Sequence, residues 1–184
     1  ITVLHCVIYI MGGQIRMKAI IYTSNTGSTA EYAQLLGKEL NLPVHSLQQE
    51  KNKVPAGSEI IYLGWIMAGG IKGYKEAAKL YKVRAVCGVG MGQTGTQLKE
   101  VRDKNAIPQR IPLFTLQGNF DVKKLHGVYR FMMNVMVKTA GKGLANKTDR
   151  TPEEDDMLDM MVNGGKRVSL QNLKAVTEWY KSVY

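Results

Sequence analysis

Residues that build disulfides, metal centres and catalytic acid–base pairs are scarce in this chain. Its 184 residues include two cysteines, Cys6 and Cys87, which are far apart and form no CxxC pattern, so neither a disulfide framework nor a cysteine metal site is predicted. Cys87 lies in an apolar run, which favours a buried and unreactive thiol. The three histidines are scattered along the sequence. We therefore predict no metal site and no catalytic side chain.

The sequence also lacks a long apolar run. The longest one extends from Ile1 to Met11, is interrupted by polar residues, and falls well short of the ~20 residues that span a bilayer. It has neither the basic leader nor the small-residue cleavage site of a signal peptide. Because Met17 stands just before the first predicted strand, we expect residues 1–16 to be an extension outside the fold and Met17 to be the natural start.

Acidic residues are outnumbered by basic ones. The chain has 15 Asp and Glu against 25 Lys and Arg, which gives a formal net charge of +10. Such an excess bears on association rather than on fold, and it could favour an acidic partner, an anionic membrane surface or nucleic acid. The sequence shows no regular spacing of aromatic residues on which bases could stack, so a nucleic-acid-binding or regulatory role rests on charge alone.

What the sequence does contain is an alternation of short apolar runs and amphipathic segments. Strands are predicted at 18–23, 42–47, 59–65, 83–89 and 110–116, and helices at 29–40, 74–81, about 95–104 and 170–183. This alternation predicts a three-layer α/β fold, a doubly wound five-stranded parallel sheet in the order 2-1-3-4-5. Ligands of such folds bind at the carboxyl ends of the strands, beside the point where the strand order reverses.

The alternation is interrupted between residues 117 and 167. A helix is predicted from Asp121 to about Thr139, and a second one begins at Thr151-Pro152-Glu153-Glu154 with a capping box and ends at Gly164-Gly165. Because this stretch is too short for a core of its own, we expect a single domain at residues 17–184 with a helical insertion at about 117–167.

The loop after the first strand has the composition of a phosphate site. It contains Ser24-Asn25-Thr26-Gly27-Ser28-Thr29, in which Gly27 permits a tight turn. The helix that follows presents unpaired backbone N–H groups and a partial positive charge, which attract phosphate. The loop has no Gly-Lys-Ser/Thr and no GxGxxG, so neither a triphosphate nor a dinucleotide site is predicted. The alternative is an ordinary polar turn and helix cap.

The same loop resembles the S/T-x-T-G-x-T phosphate loop of flavodoxins, and it lies in the expected place after strand one. The resemblance covers most of residues 18–116 and the last helix, and it implies a non-covalently bound flavin mononucleotide (FMN). It implies that the hydroxyls of Ser24, Thr26 and Thr29 bind the FMN phosphate. It also implies backbone donors from Asn25 to Thr29, a stretch that includes Gly27 and Ser28.

Two further loops are implied to flank the flavin ring. After strand three comes Met67-Ala68-Gly69-Gly70, where flavodoxins often place an aromatic ring and a peptide that reorients towards flavin N5. After strand four comes Gly90-Met91-Gly92-Gln93. Neither loop has the stacking aromatic. Met67 and Met91 could cover the ring with polarizable sulfur or could be packing residues, and Trp65 could stack or belong to the core.

The insertion is similar in layout to that of the quinone-dependent protoporphyrinogen dehydrogenases, a branch of flavodoxin-domain proteins. The similarity rests on the stretch YRFMMNVM, which supplies Phe131, Met132, Met133 and Met136. Basic residues accompany it at Lys123, Lys124, Arg130, Lys138, Lys142, Lys147 and Arg150. The apolar residues could meet a quinone, a porphyrin or a membrane, or they could be core residues of an amphipathic helix.

These observations lead to two redox hypotheses. The first is an FMN-dependent oxidoreductase that acts with a quinone or a porphyrinogen-like substrate. The second is a non-enzymatic electron carrier between partner proteins. For either one we expect a cytoplasmic location, with a peripheral contact at the inner, anionic face of the membrane as a further option.

Overall fold

The computed structural model describes residues 17–49, 53–121 and 127–184 of the chain. Within the insertion, five side chains are also outside the description: Val128, Tyr129, Met132, Met133 and Ala140. The expected extension at residues 1–16 and the basic pair Lys123 and Lys124 therefore lie outside the described residues.

Within the described ranges, six strands form the sheet: β1 (Ala19–Thr23), β2 (Val44–Ser46), β3 (Glu59–Met67), β4 (Gly70–Ile71), β5 (Lys82–Gly90) and β6 (Leu113–Gln117). Their order is β2-β1-β3-β5-β6, every pair along this path is parallel, and β4 pairs antiparallel with the end of β3. The predicted α/β fold with a parallel sheet is confirmed. Strand β4 was not predicted, because its two residues are too few to show a strand periodicity.

The helices follow the strands: α1 (Ser28–Leu40), α2 (Tyr74–Leu80), α3 (Leu98–Asn105), α4 (Gly127–Ala145), α5 (Pro152–Asn163), a 3₁₀ turn (Leu170–Leu173) and α6 (Lys174–Val183). Helix α3 begins later than the predicted Gly95 because Gly95 and Gln97 have φ of +85° and +59°, outside the right-handed helical region. The predicted last helix at 170–183 divides into the 3₁₀ turn and α6.

Hydrophobic side chains pack on both faces of the sheet because successive strand residues point to opposite sides. In β3, Ile60 and Tyr62 belong to one core cluster together with residues of α2 and α3, whereas Ile61 and Leu63 belong to a second one with residues of α1 and α6. All four are fully buried. Fully burying one such side chain contributes about 1.5–3 kcal/mol, so β3 is a main source of stability.

The chain runs from β1 outward to β2 and then returns to β3 on the other side of β1. The strand order therefore reverses between β1 and β3, and a crevice is expected there at the carboxyl ends of the strands. The loops after β1, β3 and β5 all leave the sheet at this edge. The fold thus places the three loops selected from the sequence beside one another.

The two insertion helices are joined by a well-capped turn. The predicted capping box of α5 is present: the Glu154 N–H donates to the Thr151 hydroxyl at 3.3 Å, and the Thr151 N–H donates to the Glu154 carboxylate at 3.0 Å. Before it, the Arg150 guanidinium donates to the carbonyls of Leu144, Ala145 and Lys147 at 3.0, 3.3 and 2.7 Å. These bonds join the last turn of α4 to the segment that leads into α5.

A cavity at the carboxyl edge of the sheet

A cavity of about 530 Å³ opens at the carboxyl edge of the sheet, next to the reversal point. The three predicted loops supply much of its wall. From the predicted site it is lined by Asn25, Thr26, Ser28, Thr29, Met67, Ala68, Gly69, Gly90, Met91 and Gly92. Four residues of the predicted site do not line it, namely Ser24, Gly27, Gly70 and Gln93.

The loop after β1 closes as a tight turn at the start of α1. Gly27 has φ +103°, a left-handed conformation that favours glycine, although a methyl group there would meet no atom within 4 Å. The Gly27 N–H donates to the Ser24 hydroxyl at 3.2 Å, so one of the backbone donors expected for phosphate is used inside the loop. The half-buried Thr26 hydroxyl makes no hydrogen bond within the described part of the chain. Thr26 and the first N–H groups of α1 therefore remain able to donate.

Ser28 connects the same loop to the segment after β6. Its hydroxyl accepts the Asn119 N–H at 3.0 Å and faces the Asn119 carbonyl at 3.4 Å. The Asn119 side-chain oxygen in turn accepts the N–H groups of Arg167 and Val168 at 2.7 and 2.9 Å. Asn119 therefore joins the loop after β1 to the chain that leaves the insertion. No role was predicted for Asn119.

The loop after β3 is a two-residue hairpin turn. Met67 pairs with Gly70 across it, and the central residues Ala68 and Gly69 have φ of +47° and +74°. Positive φ at both central residues defines a type I′ turn, which usually carries Asn-Gly or Gly-Gly. Alanine at the first position hides this signal in the sequence. Trp65, for which the sequence left open a stacking role or a place in the core, is half-buried and lines the cavity.

Asn105, the last residue of α3, holds this hairpin. Its side-chain amide donates to the carbonyls of Gly69 and Val101 at 2.8 and 2.7 Å, and its oxygen accepts the Ile71 N–H at 2.7 Å. The side chain is 6% exposed. An asparagine in a last helical turn is typical of a helix cap, so its sequence position gives no hint that it binds a distant loop.

The loop after β5 is fixed to β6 from several sides. The N–H groups of Gln117 and Gly95 donate to the Thr94 hydroxyl and the Thr115 carbonyl, both at 3.0 Å. The Gln93 carbonyl accepts the Thr96 hydroxyl at 2.7 Å, so this part of the loop turns back on itself. Gly90 to Gly92 are left to form the cavity wall.

The remaining wall comes from the segment after β6 and from the insertion. This part is lined by Gly118, Asn119, Phe120, Asp121, Met136, Met157 and Met161. Phe120 is fixed by two backbone hydrogen bonds to Gly165, at 2.9 and 3.0 Å. Asp156 of α5 accepts the Gln117 side-chain amide and pairs with Arg167 at 3.3 Å. Of these lining residues, Met136 alone was predicted to meet a ligand.

The electrostatic character of the cavity is set by carboxylates and backbone dipoles. Glu100 and Asp121 are among its lining residues, and no lysine or arginine of the described chain is. The partial positive charge at the start of α1 lies at the Thr26 end. In β5, burial raises the pKa of the Cys87 thiol to about 12, so Cys87 stays protonated and is no nucleophile at neutral pH.

Comparison with known proteins gives no assignment. No protein-family model matches the chain, and no curated protein matches it either. Conclusions about function therefore rest on the cavity itself.

Two structural facts limit the kinds of site that the described residues can form. Within residues 17–49, 53–121 and 127–184, no group of histidine, cysteine, aspartate and glutamate side chains is arranged to hold a metal ion. No helix in these ranges combines the length and the apolar character needed to cross a membrane.

Proposed function

We propose that the cavity binds FMN and that the protein is a flavodoxin-like oxidoreductase acting on a quinone or a porphyrinogen-like substrate. One observation carries the proposal. The phosphate-type loop after β1 and the two glycine-containing loops after β3 and β5 converge on a single cavity, at the point where ligands of parallel α/β folds bind.

The chemistry of the wall fits the two ends of FMN. At one end, the Thr26 hydroxyl and the first N–H groups of α1 suit a terminal phosphate that is held by neutral donors. At the other end, the hairpin at Ala68 and Gly69 and the loop at Gly90 and Met91 provide close-lying backbone and thioether sulfur for a flat ring. A volume of about 530 Å³ lies within the usual range for small-molecule sites.

Once bound, FMN supplies the electron transfer, and the protein contributes binding, orientation and exclusion of water. The insertion contributes to the last of these tasks, because Met136, Met157 and Met161 add apolar surface to the wall.

The described lining favours a neutral quinone over a porphyrinogen. Porphyrinogens carry several carboxylates, whereas no lysine or arginine is among the described lining residues. An uncharged ring can pack against methionine, whose flexible side chain adapts to different ligand shapes. We therefore place a quinone first among the two substrate classes.

The main alternative is a non-enzymatic electron carrier. It is favoured by the exposed face of α4, where Phe131 is 68% and Val135 44% exposed and the cations Arg130, Lys138 and Lys142 are exposed as well. Such a surface could dock an acidic redox partner or an anionic membrane. Rapid, saturable reoxidation of the reduced flavoprotein by a water-soluble quinone supports the enzyme, and reoxidation by a partner protein alone supports the carrier.

Titration of the purified protein with FMN tests the proposal. We expect flavin absorbance to shift on binding, and we expect Thr26→Val to weaken FMN binding about tenfold to a hundredfold, since a hydrogen bond to a charged group contributes roughly 1.5–3 kcal/mol. Riboflavin, which lacks the phosphate, should bind equally well to both proteins. Thr177→Val makes the same chemical change on α6 and should alter neither ligand's binding. If saturating FMN shows no shift of its absorbance in the presence of the wild-type protein, the proposal is refuted.

A further inference from the structure

The hairpin between β3 and β4 is held in a conformation that its own sequence does not favour. Ala68 has φ +47°, where an alanine side chain crowds its own backbone. The hairpin nevertheless lines the cavity through Met67, Ala68 and Gly69. A strained turn at a cavity wall keeps one conformation only if surrounding groups hold it there.

Asn105 supplies that restraint from outside the hairpin. It binds the carbonyl of Gly69 at 2.8 Å and the N–H of Ile71 at 2.7 Å, so it fixes the chain on both sides of Gly70. Its third hydrogen bond, to the Val101 carbonyl at 2.7 Å, anchors the amide to its own helix. Because Asn105 is buried, turning the Gly69 carbonyl away would leave a buried donor without a partner.

This arrangement has a consequence for a redox ring in the cavity. Reduction of a flavin places hydrogen on a ring nitrogen that accepts hydrogen bonds when oxidised, so a carbonyl acceptor beside that nitrogen favours the reduced ring. The Gly69 carbonyl belongs to a residue of the wall, yet it points to Asn105. While this bond persists, the carbonyl is not free to turn towards a ligand.

We infer that Asn105 is a positioning residue that keeps the Gly69 carbonyl from accepting a hydrogen bond in the cavity, and that it thereby weakens the binding of reduced relative to oxidised FMN. The inference rests on the proposed function. It assigns to a side chain of α3 the control of the redox preference of a site that it does not line.

The experiment compares the dissociation constants of oxidised and reduced FMN for wild type, Asn105→Asp and Asn105→Leu. Both substitutions remove the donor that holds Gly69. We expect binding of reduced FMN to strengthen relative to oxidised FMN by about tenfold, which corresponds to roughly 30 mV in a two-electron midpoint potential. Val101→Ala is the matched control, because it trims a buried side chain of the same helix and leaves the Asn105 amide in place. It should lower stability without changing the ratio.

An unchanged ratio in Asn105 variants that still bind FMN would overturn the inference and leave the proposed function intact. Absence of FMN binding in the wild type would instead refute the proposed function. If the variants do not fold, the inference is tested in the wild type by measuring hydrogen exchange of the Ile71 N–H and the Asn105 side-chain amide. Protection that persists on reduction of bound FMN supports the inference, and loss of protection contradicts it.

Discussion

At Ala68 the side chain and the backbone conformation are in conflict. L-residues in the left-handed region lose about 1–2 kcal/mol relative to right-handed geometry, whereas glycine does not. Ala68 is exposed and has φ +47°, so its methyl group contributes little packing to offset this strain. We predict that Ala68→Gly raises the free energy of unfolding by about 0.5–1 kcal/mol, after allowance for the greater freedom of glycine in the unfolded chain. Urea unfolding followed by circular dichroism measures the change.

The neighbouring residue provides the converse substitution. Gly69 has φ +74°, and Gly69→Ala should therefore lower stability, with the Glu100 carboxylate 3.2 Å from the added methyl group as a further strain. If Ala68→Gly destabilises the protein as much as Gly69→Ala does, the turn geometry assigned to this hairpin is wrong.

At the scale of elements, Asn119, which follows β6, makes two sets of hydrogen bonds with different parts of the chain. Its backbone binds Ser28 next to the phosphate-type loop, and its side chain binds the N–H groups of Arg167 and Val168. We predict that Asn119→Ala speeds hydrogen exchange in the insertion helices and lowers stability by about 1–2 kcal/mol, because two backbone donors lose their acceptor. FMN affinity should fall less than it does in the Ser28→Ala variant.

Ser28→Ala is the complementary variant. It removes the hydroxyl that binds the Asn119 backbone at 3.0 Å and keeps the side-chain bonds of Asn119 to the insertion. We therefore expect Ser28→Ala to weaken FMN binding while exchange in α4 and α5 stays as in the wild type. If the two variants had equal effects on FMN binding and on hydrogen exchange in α4 and α5, the two sets of Asn119 hydrogen bonds would not act independently.

The same elements show what the sequence could and could not predict. The capping box at Thr151 and the turn at Gly27 were predictable because each depends on residues within a few positions of one another. The hairpin at Ala68 was missed because the conformation of alanine there is imposed by contacts rather than by local preference. Asn105 and Asn119 were missed for a related reason: the hairpin groups that Asn105 binds lie 34–36 residues away, and the N–H groups that the Asn119 side chain binds lie 48–49 residues away.

At the scale of the whole molecule, burial of Cys87 links stability to alkaline pH. Cys87 is fully buried in β5, and its pKa is raised from 9.0 to about 12. Below pH 9.0 the folded and unfolded chains both hold the thiol proton, so the full stability is present. Above it the unfolded chain loses the proton first, and stability falls as the pH rises towards 12.

The comparison of wild type with Cys87→Ala isolates this effect from the tyrosines, which both proteins share. We predict that the difference between their free energies of unfolding shifts by about 1.4 kcal/mol from pH 8 to pH 10, with the wild type losing more. Urea unfolding at the two pH values measures it. A constant difference would mean that Cys87 ionises in the folded protein and is not enclosed by the core.

The net charge of +10 becomes a testable property through the exposed face of α4. Phe131, Val135, Lys138 and Lys142 follow a spacing of four, three and four residues, which places them on one side of the helix. We predict binding to vesicles that contain anionic lipid, weaker binding to neutral vesicles, and release as added salt shortens the Debye length.

Two substitutions test whether α4 carries this contact. Each basic residue near an anionic surface contributes about 1 kcal/mol, so Lys138→Glu with Lys142→Glu should reduce vesicle binding by more than tenfold. Lys75→Glu is the control, because it makes the same charge change at an exposed position of α2. If vesicle binding depended on net charge alone, each of the three lysine substitutions would weaken it equally. A loss of binding in Lys75→Glu as large as the loss per substitution in α4 would therefore show that the contact does not depend on the face of α4.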